Sequence, residues 1–187
     1  MTLTIEQIVS ADGYAAAPDG DLSFFAAADF DDNPNDTEQL QWLAGVDAIL
    51  FGATTYQMFS QYWPHVDPAV EAAAGPINAL PKFVVSNSLQ VAPWGEAEIE
   101  ILRGDPVQAV RDLKQRFGSI VVWGSLKLTD ALFQADEVDQ LRLRIVPVLI
   151  GDGLRFTPAG LGQQQLTLKS STPQPSGHIN HSYSINR

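Results

Sequence analysis

Short apolar runs with several β-branched residues alternate with longer amphipathic stretches through most of the chain. Such runs are typical of strands, whereas apolar residues that recur every three or four positions are typical of helices. The pattern predicts strands at residues 3–9, 48–51, 83–85, 120–123 and 143–146. Two further strands are predicted at residues 165–170 and 179–185, on either side of a turn-rich segment at residues 172–177.

The helices are predicted from apolar stripes and from their end signals. The clearest one begins at Asp105 and Pro106, because Asp caps free N–H groups and Pro suits the first helical position. Its stripe consists of Val107, Val110, Leu113 and Phe117, and Gly118 ends it. A second helix follows a capping box at residues 35–38 and ends near Gly45. A third follows Gly124 and Ser125, and shorter helices are predicted at residues 54–60 and 68–78.

This alternation of strands and helices predicts an α/β fold with a largely parallel sheet that is covered on both faces. The last two strands predict an antiparallel hairpin at one edge of that sheet. No repeat and no shift in composition divides the chain, so we expect residues 1–187 to form a single domain.

Composition and charge narrow the classes of function. Hydrophobic residues make up 45% of the chain and charged residues 18%, as in an ordinary globular protein. The net charge is −11 and the chain has no Cys, which argues against nucleic-acid partners and excludes disulfides and cysteine-ligated metals. We expect no membrane span and no signal peptide, and therefore a cytoplasmic location.

Three segments place glycines or hydroxyls where a predicted strand ends, which is where open α/β sheets bind ligands. They are residues 10–14 (SADGY), 51–55 (FGATT) and 122–127 (VWGSLK). Such turns present backbone N–H groups to an anion. Each also has a plainer interpretation, because Asp12 suits a tight turn and Thr54 and Ser125 suit ordinary helix caps.

The order of the motifs is more informative than any one of them. The series "SADGYAAAPDG", "AILFGATTYQMF", "PKFVVSNSL", "IVVWGSLKLTDALF" and "VDQLRLRIVPVLIGDGLRF", followed by a hairpin, resembles the dihydrofolate-reductase-like family. The particular likeness is to the C-terminal reductase domain of bifunctional riboflavin-biosynthesis deaminase-reductases and to its stand-alone relatives. The resemblance implies a three-layer sandwich around a mixed, mostly parallel sheet of about eight strands.

The resemblance also implies a reduced nicotinamide dinucleotide, NADPH, that lies across the strand ends. We expect its pyrophosphate on Gly124, Ser125 and Leu126 and on the hydroxyl of Thr55, with the adenosine end near Ser86 and Asn87. Asp12 is the expected catalytic group, which orients the substrate or assists its protonation. The remaining expected cofactor contacts are Gly52, Ala53, Thr54, Lys127 and Gly151, and the expected substrate contacts are Gly13, Tyr14 and Trp63.

Two departures from the family pattern leave the cofactor open. Family members that use NADPH often carry Arg at the positions of Ala53 and Asn87, so the usual partners of a 2′-phosphate are absent. NADH, a flavin or a deazaflavin therefore remain alternatives. Lys127 is an open candidate for a replacement cation, whereas Lys82 and Arg103 are interpreted as solvated surface charges.

The function predicted from the sequence is hydride transfer to a C=N or C=O bond of a small heterocycle that resembles a pyrimidine or a pteridine. The alternatives are a flavin- or deazaflavin-using oxidoreductase and a non-catalytic nucleotide-binding module. We predict no metal site, because His65, His178 and His181 read as surface residues and the acidic residues 29–36 lack the pattern of a calcium loop. By resemblance, a homodimer is expected.

Overall fold

The computed structural model describes residues 1–28 and 37–186. Its strands are β1 (Thr2–Ser10), β2 (Tyr14–Ala16), β3 (Ala48–Gly52), β4 (Lys82–Val85), β5 (Pro93–Trp94), β6 (Ala97–Glu98), β7 (Glu100–Leu102), β8 (Ser119–Trp123), β9 (Gln140–Val146), β10 (Leu154–Arg155), β11 (Leu166–Pro173) and β12 (Ile179–Ile185). Its helices are α1 (Thr37–Leu43), α2 (Ala53–Tyr62), α3 (Ala74–Ala79), α4 (Pro106–Arg116) and α5 (Leu126–Gln134), with 3-10 turns at Ser23–Ala27 and Trp63–His65.

Eight of these strands form one sheet in the order β11-β12-β9-β1-β8-β3-β4-β7. Every neighbouring pair from β9 to β7 is parallel, whereas β12 pairs antiparallel with both β9 and β11. Two short antiparallel pairs, β2 with β10 and β5 with β6, lie outside this sheet. The predicted parallel sheet with a C-terminal hairpin at its edge is confirmed.

The alternation of side chains along the strands builds a separate core on each face of the sheet. In β8, Ile120 and Val122 pack with residues of α4 and α5, such as Leu113 and Leu132. Their neighbours Val121 and Trp123 pack on the other face with residues of α1, α2 and α3. Successive strand residues point to opposite faces, so this β-branched run is buried on both sides. The predicted three-layer sandwich is confirmed.

The predicted helices agree with the observed ones better in their middle turns than at their first residues. Asp105 caps α4 as predicted, accepting a hydrogen bond from the Val107 N–H at 3.2 Å. Helix α2 begins at Ala53 with Gly52 as its N-cap, so the interpretation of Thr54 as the cap is wrong. Two interpretations from the sequence concern residues outside the described ranges. They are the capping box at Asn35 and Asp36, and the acidic residues 29–36 that were rejected as a calcium loop.

The helix predicted at residues 68–78 is wrong over most of its length, because α3 spans only Ala74–Ala79. Asp67 starts a local turn instead: its carboxylate accepts from the Ala69 N–H, and its carbonyl accepts from Val70 and Glu71. Side-chain acceptors of this kind compete with helix formation. No helix in the described part of the chain is both long and apolar enough to cross a membrane.

Candidate functional site

The turns that follow β3, β4, β7 and β8 meet at the carboxyl edge of the sheet and line one cavity of about 1020 Å³. This is the edge where open α/β sheets bind their ligands. The volume lies at the upper end of the range for small-molecule sites, roughly 300–1,000 Å³. The cavity is therefore large enough for an extended ligand together with a second small molecule.

Most of the residues predicted for the site line this cavity. They are Gly52, Ala53, Thr54, Thr55, Trp63, Ser86, Asn87, Gly124, Ser125, Leu126 and Lys127. Four others are not among its lining residues in the described chain, and they are Asp12, Gly13, Tyr14 and Gly151. The sequence motifs after β3, β4 and β8 thus come together, whereas the motif after β1 forms a group of its own.

A side-chain hydroxyl joins the turn after β3 to the turn after β8. The Ser125 Oγ accepts a hydrogen bond from the Gly52 N–H at 2.7 Å and donates to the Thr55 Oγ1 at 2.8 Å. A Cβ at Gly52 would lie 2.9 Å from the Ser125 Oγ, closer than real side chains approach. The close contact between the two turns therefore requires Gly52 and depends on Ser125.

Ser125 does not cap helix α5, contrary to the plain interpretation from sequence. Its backbone is left-handed, with φ 63° and ψ 59°, and its side chain makes no capping hydrogen bond. The N–H groups of Leu126 and Lys127 have no acceptor within residues 1–28 and 37–186. They point out of the positive end of a nine-residue helix on the cavity wall. Free N–H groups at a helix start form a binding site for an anion such as a phosphate.

Asp12 fixes a neighbouring loop. Its carboxylate accepts hydrogen bonds from the Gly151 N–H at 2.8 Å, the Ile150 N–H at 3.3 Å and the Ser10 hydroxyl at 2.6 Å. The Ser10 hydroxyl, and after it these N–H groups, hold the pKa of Asp12 below its usual range. The Tyr14 hydroxyl lies 3.5 Å from the Gly151 carbonyl oxygen, in the same cluster. Asp12 is therefore an ionised carboxylate held by three hydrogen bonds, outside the lining of the described cavity.

The turn after β4 carries a cation from the neighbouring strand. The Asn87 Oδ1 accepts from the Gly104 N–H at 2.7 Å, which joins this turn to the end of β7. The Arg103 guanidinium donates to the carbonyl oxygens of Ser86 at 3.3 Å and Leu89 at 2.6 Å. Arg103 is exposed as expected, yet it lies against the turn expected to hold the adenosine end. A dinucleotide fits the donors of this edge, with a cation available at that end.

Lys82 is not a surface charge, so this part of the sequence interpretation is wrong. Only 8% of the residue is exposed, and its ammonium group donates to the carbonyl oxygens of Ile77, Asn78 and Leu80. These carbonyls include the C-terminal turn of α3, so Lys82 stabilises that helix end. It does not line the large cavity and is not a candidate for phosphate binding there.

Buried polar groups at one end of the cavity were not predicted. Glu6 in the middle of β1 is 3% exposed, and it lines the cavity together with Gln39, Arg144 and His178. His178 is 1% exposed, so the interpretation of the histidines as surface residues is wrong for it. The sequence signals for this wall are Glu6 inside a predicted strand and the Arg residues that alternate with apolar ones in β9.

Apolar and aromatic side chains form another wall of the cavity. Phe25, Met58, Phe59, Tyr62 and Trp63 line it, and the Phe59 ring centroid lies 5.6 Å from that of Trp123. The Tyr62 hydroxyl donates to the Glu71 Oε2 at 2.8 Å, which fixes that ring. Aromatic walls with few polar groups suit a flat heterocycle.

Comparison with known proteins gives a family and a fold. The family model described as the RibD C-terminal domain matches residues 1–179. A solved structure of a protein from Shewanella sp. PV-4 assigned to riboflavin biosynthesis has a TM-score of 0.77 at 21% identity, covering 100% of each chain. A pyrimidine reductase-like protein from Corynebacterium diphtheriae has a TM-score of 0.70 at 19% identity, covering 100% of this chain and 92% of that one.

A dihydrofolate reductase from Enterococcus faecalis, complexed with NADP(H) and RAB-propyl, has a TM-score of 0.63 at 13% identity. The match covers 100% of this chain and 97% of the reductase. No curated protein sequence matches the chain. At these identities the solved structures establish the shared fold, and the family match establishes the relationship.

Proposed function

We propose that this chain, which belongs to the RibD C-terminal domain family and is an oxidoreductase, transfers hydride from NADPH to a C=N or C=O bond of a small heterocycle. A pyrimidine- or pteridine-like substrate is supported by the fold shared with a pyrimidine reductase-like protein and a dihydrofolate reductase. The cavity agrees with this class, since aromatic residues form one wall and hydrogen-bonding groups another.

The observation that carries the proposal is the contact between the turns after β3 and β8. The Ser125 hydroxyl binds both Gly52 and Thr55. Beside it, Leu126 and Lys127 line the cavity, and their N–H groups have no acceptor in the described part of the chain. Two negatively charged phosphates suit this arrangement of fixed donors. Hydrogen bonds within the protein also hold the two turns in this arrangement.

Each wall then has a distinct part in the reaction. Bound NADPH supplies the hydride, and the protein supplies position and electrostatics. The aromatic wall around Phe59 and Trp63 packs against a flat substrate and excludes water. We propose that Asp12 orients the substrate or assists its protonation through a water molecule, because its carboxylate lies outside the cavity lining.

NADPH is proposed over NADH because two cations replace the absent arginines. Lys127 lines the cavity in the first turn of α5, and Arg103 lies against the turn of Ser86. A charge-assisted contact with a 2′-phosphate contributes about 1.5–3 kcal/mol. A flavin or deazaflavin is the second candidate, favoured by the uncharged Ala53 and by the use of the Asn87 oxygen by Gly104.

We further propose a single domain, a homodimer and a cytoplasmic location. The cavity supports the proposal of a single domain, because its lining residues extend from Glu6 to His178 along the chain. Sedimentation velocity tests the dimer, with a monomer at micromolar concentration as the contrary result.

Tryptophan fluorescence tests the cofactor directly, since Trp63 and Trp123 line the cavity. The purified protein is titrated with NADPH, NADH, FMN and a deazaflavin. We expect NADPH to quench at the lowest concentration, and its oxidation to depend on an added pyrimidine or pteridine from a panel. Tighter binding of a flavin favours the second candidate, and no hydride transfer to any member of the panel contradicts the proposed substrate class.

The role of Asp12 has its own test. We expect Asp12→Asn to lower turnover at least tenfold while the Kd for NADPH stays unchanged, because the amide keeps an acceptor but loses the charge. Asp19→Asn is the matched control, since Asp19 is exposed and bonds only to the Asp21 N–H within the described chain. Full turnover of Asp12→Asn removes Asp12 from the reaction.

A further inference from the structure

The C-terminal hairpin carries apolar side chains that the described part of the chain leaves uncovered. On β11, Leu166 is 39% exposed and Leu168 is 54% exposed, and on β12 Ile179 is 37% exposed. None of the three belongs to either hydrophobic core of the described residues. Monomeric proteins rarely leave such groups together at the surface unless the patch has a function. Hydride transfer at the cavity gives this patch no role.

The strand register places these side chains on one face of the hairpin. Leu166 lies opposite Ile185, and Leu168 lies opposite Tyr183. Ile179 is on the same side of β12 as Tyr183 and Ile185, because alternate residues of a strand point to one face. Tyr183 and Ile185 also pack partly against the core that lies between the sheet and helices α4 and α5. We call these five residues the hairpin face.

The free edge of β11 is less suited to a partner than the hairpin face. Strand β11 ends the eight-stranded sheet, so one side of it has no neighbouring strand in the described chain. Its register with β12 shifts between Leu168 and Ser170, which leaves Lys169 unpaired in the ladder. Bulges and edge lysines oppose the addition of another strand. A partner of this hairpin is therefore expected to use the face rather than the edge.

Charge sets the hairpin apart from the rest of the chain. The net charge is −11, and all 22 Asp and Glu residues lie within residues 1–152. Residues 153–187, which include the hairpin, have no acidic residue. The only Lys, Arg, Asp or Glu of β11 and β12 is Lys169, at the shift in register. The hairpin face is thus an uncharged apolar surface on a strongly acidic protein.

We propose that the hairpin face packs against the same face of a second copy of this chain, around a two-fold axis. A two-fold contact places each surface against its own copy, so the acidic surfaces of the protein would meet like charge. The hairpin face avoids this repulsion, and it offers a charged partner no opposite charge. Sheets that pack face to face bury the side chains of both inner faces. The inference goes beyond the proposed reaction and assigns a surface to the proposed homodimer.

Aspartates on the two faces of one strand test the proposal. Leu168→Asp places a charge on the hairpin face, and Ile179→Asp does so from the other strand. Ser170→Asp is the matched control, because Ser170 is exposed and lies opposite Ser182, on the polar face of the hairpin. Sedimentation velocity from nanomolar to tens of micromolar protein gives the dimer Kd, at low and at high salt. Circular dichroism shows that each variant folds.

We expect a wild-type dimer at micromolar concentration. Leu168→Asp and Ile179→Asp should each raise the dimer Kd at least about a hundredfold, because two copies bury two unpaired carboxylates. Ser170→Asp should leave it nearly unchanged. High salt should tighten the wild-type dimer, since it screens the repulsion between two acidic chains.

A wild-type monomer over the whole concentration range overturns the inference, whether or not the variants fold. A dimer that survives both face substitutions, or that Ser170→Asp weakens equally, also overturns it. A dimer that high salt weakens is held by opposite charges and contradicts contact through the uncharged face. The Kd for NADPH is measured on the same samples. Failure to bind NADPH, with the dimer intact, contradicts the proposed cofactor and leaves the assignment of the hairpin face standing.

Discussion

The two ends of the cavity are lined by different kinds of chemical group. The end formed by the turns after β3 and β8 consists of backbone N–H groups and one hydroxyl, and it depends on glycine for close approach. The end formed by β1 and β9 consists of buried charges that pair across the sheet, with Arg142 between Glu6 and Glu38. Backbone donors suit a ligand group of fixed shape, such as a phosphate, whereas buried charged side chains depend on one another for compensation.

This difference makes separate demands on stability. A change in the spacing of the hydrogen-bonded turns is expected to weaken ligand binding more than folding. The contacts between these turns are hydrogen bonds rather than buried ion pairs. The charged wall loses stability when one partner is removed, because the others remain buried without compensation. The predictions below use that contrast, and they run from the largest expected effect to the smallest.

Removal of Arg142 is expected to have the largest effect on folding. Arg142→Met leaves Glu6 and Glu38 without their cation, and we expect the free energy of unfolding to fall by about 3–5 kcal/mol. Arg111→Met is the control, because Arg111 pairs with Glu137 while its side chain is 54% exposed. Exposed pairs contribute about 0–1 kcal/mol. Urea denaturation measures the free energy of unfolding of both variants. Equal losses in Arg142→Met and Arg111→Met would contradict the contrast between a buried and an exposed ion pair.

Lys82 shows what burial does to a cation that carbonyl groups and the Trp94 ring surround without a carboxylate partner in the described chain. Burial lowers the pKa of its ammonium group from 10.5 to about 8. Between these values the unfolded chain binds more protons than the folded protein, so stability rises with pH across that window and is lowest below it. The rise is at most about 3 kcal/mol.

Urea denaturation at several pH values from 8 to 10.5 measures this rise. We expect Lys82→Met to lose it, because the variant has no group to titrate there. Lys169→Met should keep it, because Lys169 is exposed on β11. The same slope in Lys82→Met and the wild type would show that another group is responsible.

A methyl group at Gly52 is expected to separate the two turns. In Gly52→Ala the new Cβ meets Ser125 at 2.9 Å, so one turn must move. We expect the Kd for NADPH to rise more than tenfold, and the free energy of unfolding to fall by about 1–3 kcal/mol. Gly162→Ala is the matched control, since a Cβ there has no neighbour within 4 Å. Unchanged affinity in Gly52→Ala contradicts the proposed contact with the cofactor.

Loss of the Ser125 hydroxyl has a smaller effect of the same kind. Ser125→Ala removes the acceptor of the Gly52 N–H, and we expect a loss of about 1 kcal/mol in stability. Ser125→Gly removes the same hydroxyl but suits the left-handed backbone, so it should be the more stable of the two. Isothermal titration should give both variants a similarly raised Kd for NADPH. Wild-type affinity in either contradicts the role of the hydroxyl.

Arg103 is expected to have the smallest effect. Arg103→Gln should raise the Kd for NADPH by about threefold to tenfold, because Arg103 is exposed and its contacts are screened by solvent. The Kd for NADH should not change, since NADH has no 2′-phosphate. Arg116→Gln is the control, because Arg116 is exposed and pairs with Glu100 outside the cavity. Equal losses for both dinucleotides assign Arg103 to the loop rather than to the phosphate.

The parts of the molecule that could be predicted from the sequence depend on neighbours along the chain. The strand of residues 120–123 and the turn of Gly124 and Ser125 carry their information within a few positions, so the sheet and this turn were found. The family resemblance, confirmed by the match over residues 1–179, also rests on the order of such local motifs.

The parts that were missed depend on strand order. Glu6 and Arg142 are far apart in sequence and become neighbours only because β1 lies beside β9. Lys82 is charged, and its burial is explained by carbonyl oxygens at the end of α3 and by the Trp94 ring. His178 is buried at a strand end where alternation along β12 gives no signal. Such contacts follow from the topology rather than from the local pattern.

Hydrogen exchange of the backbone amides tests the central claim most directly, because the proposal assigns specific N–H groups to the cofactor. Exchange is measured by NMR with and without NADPH. We expect NADPH to slow exchange at Leu126 and Lys127, which have no acceptor in the described chain, and to leave the amides of the β11–β12 hairpin unchanged. Saturating NADPH that protects neither amide would contradict the account.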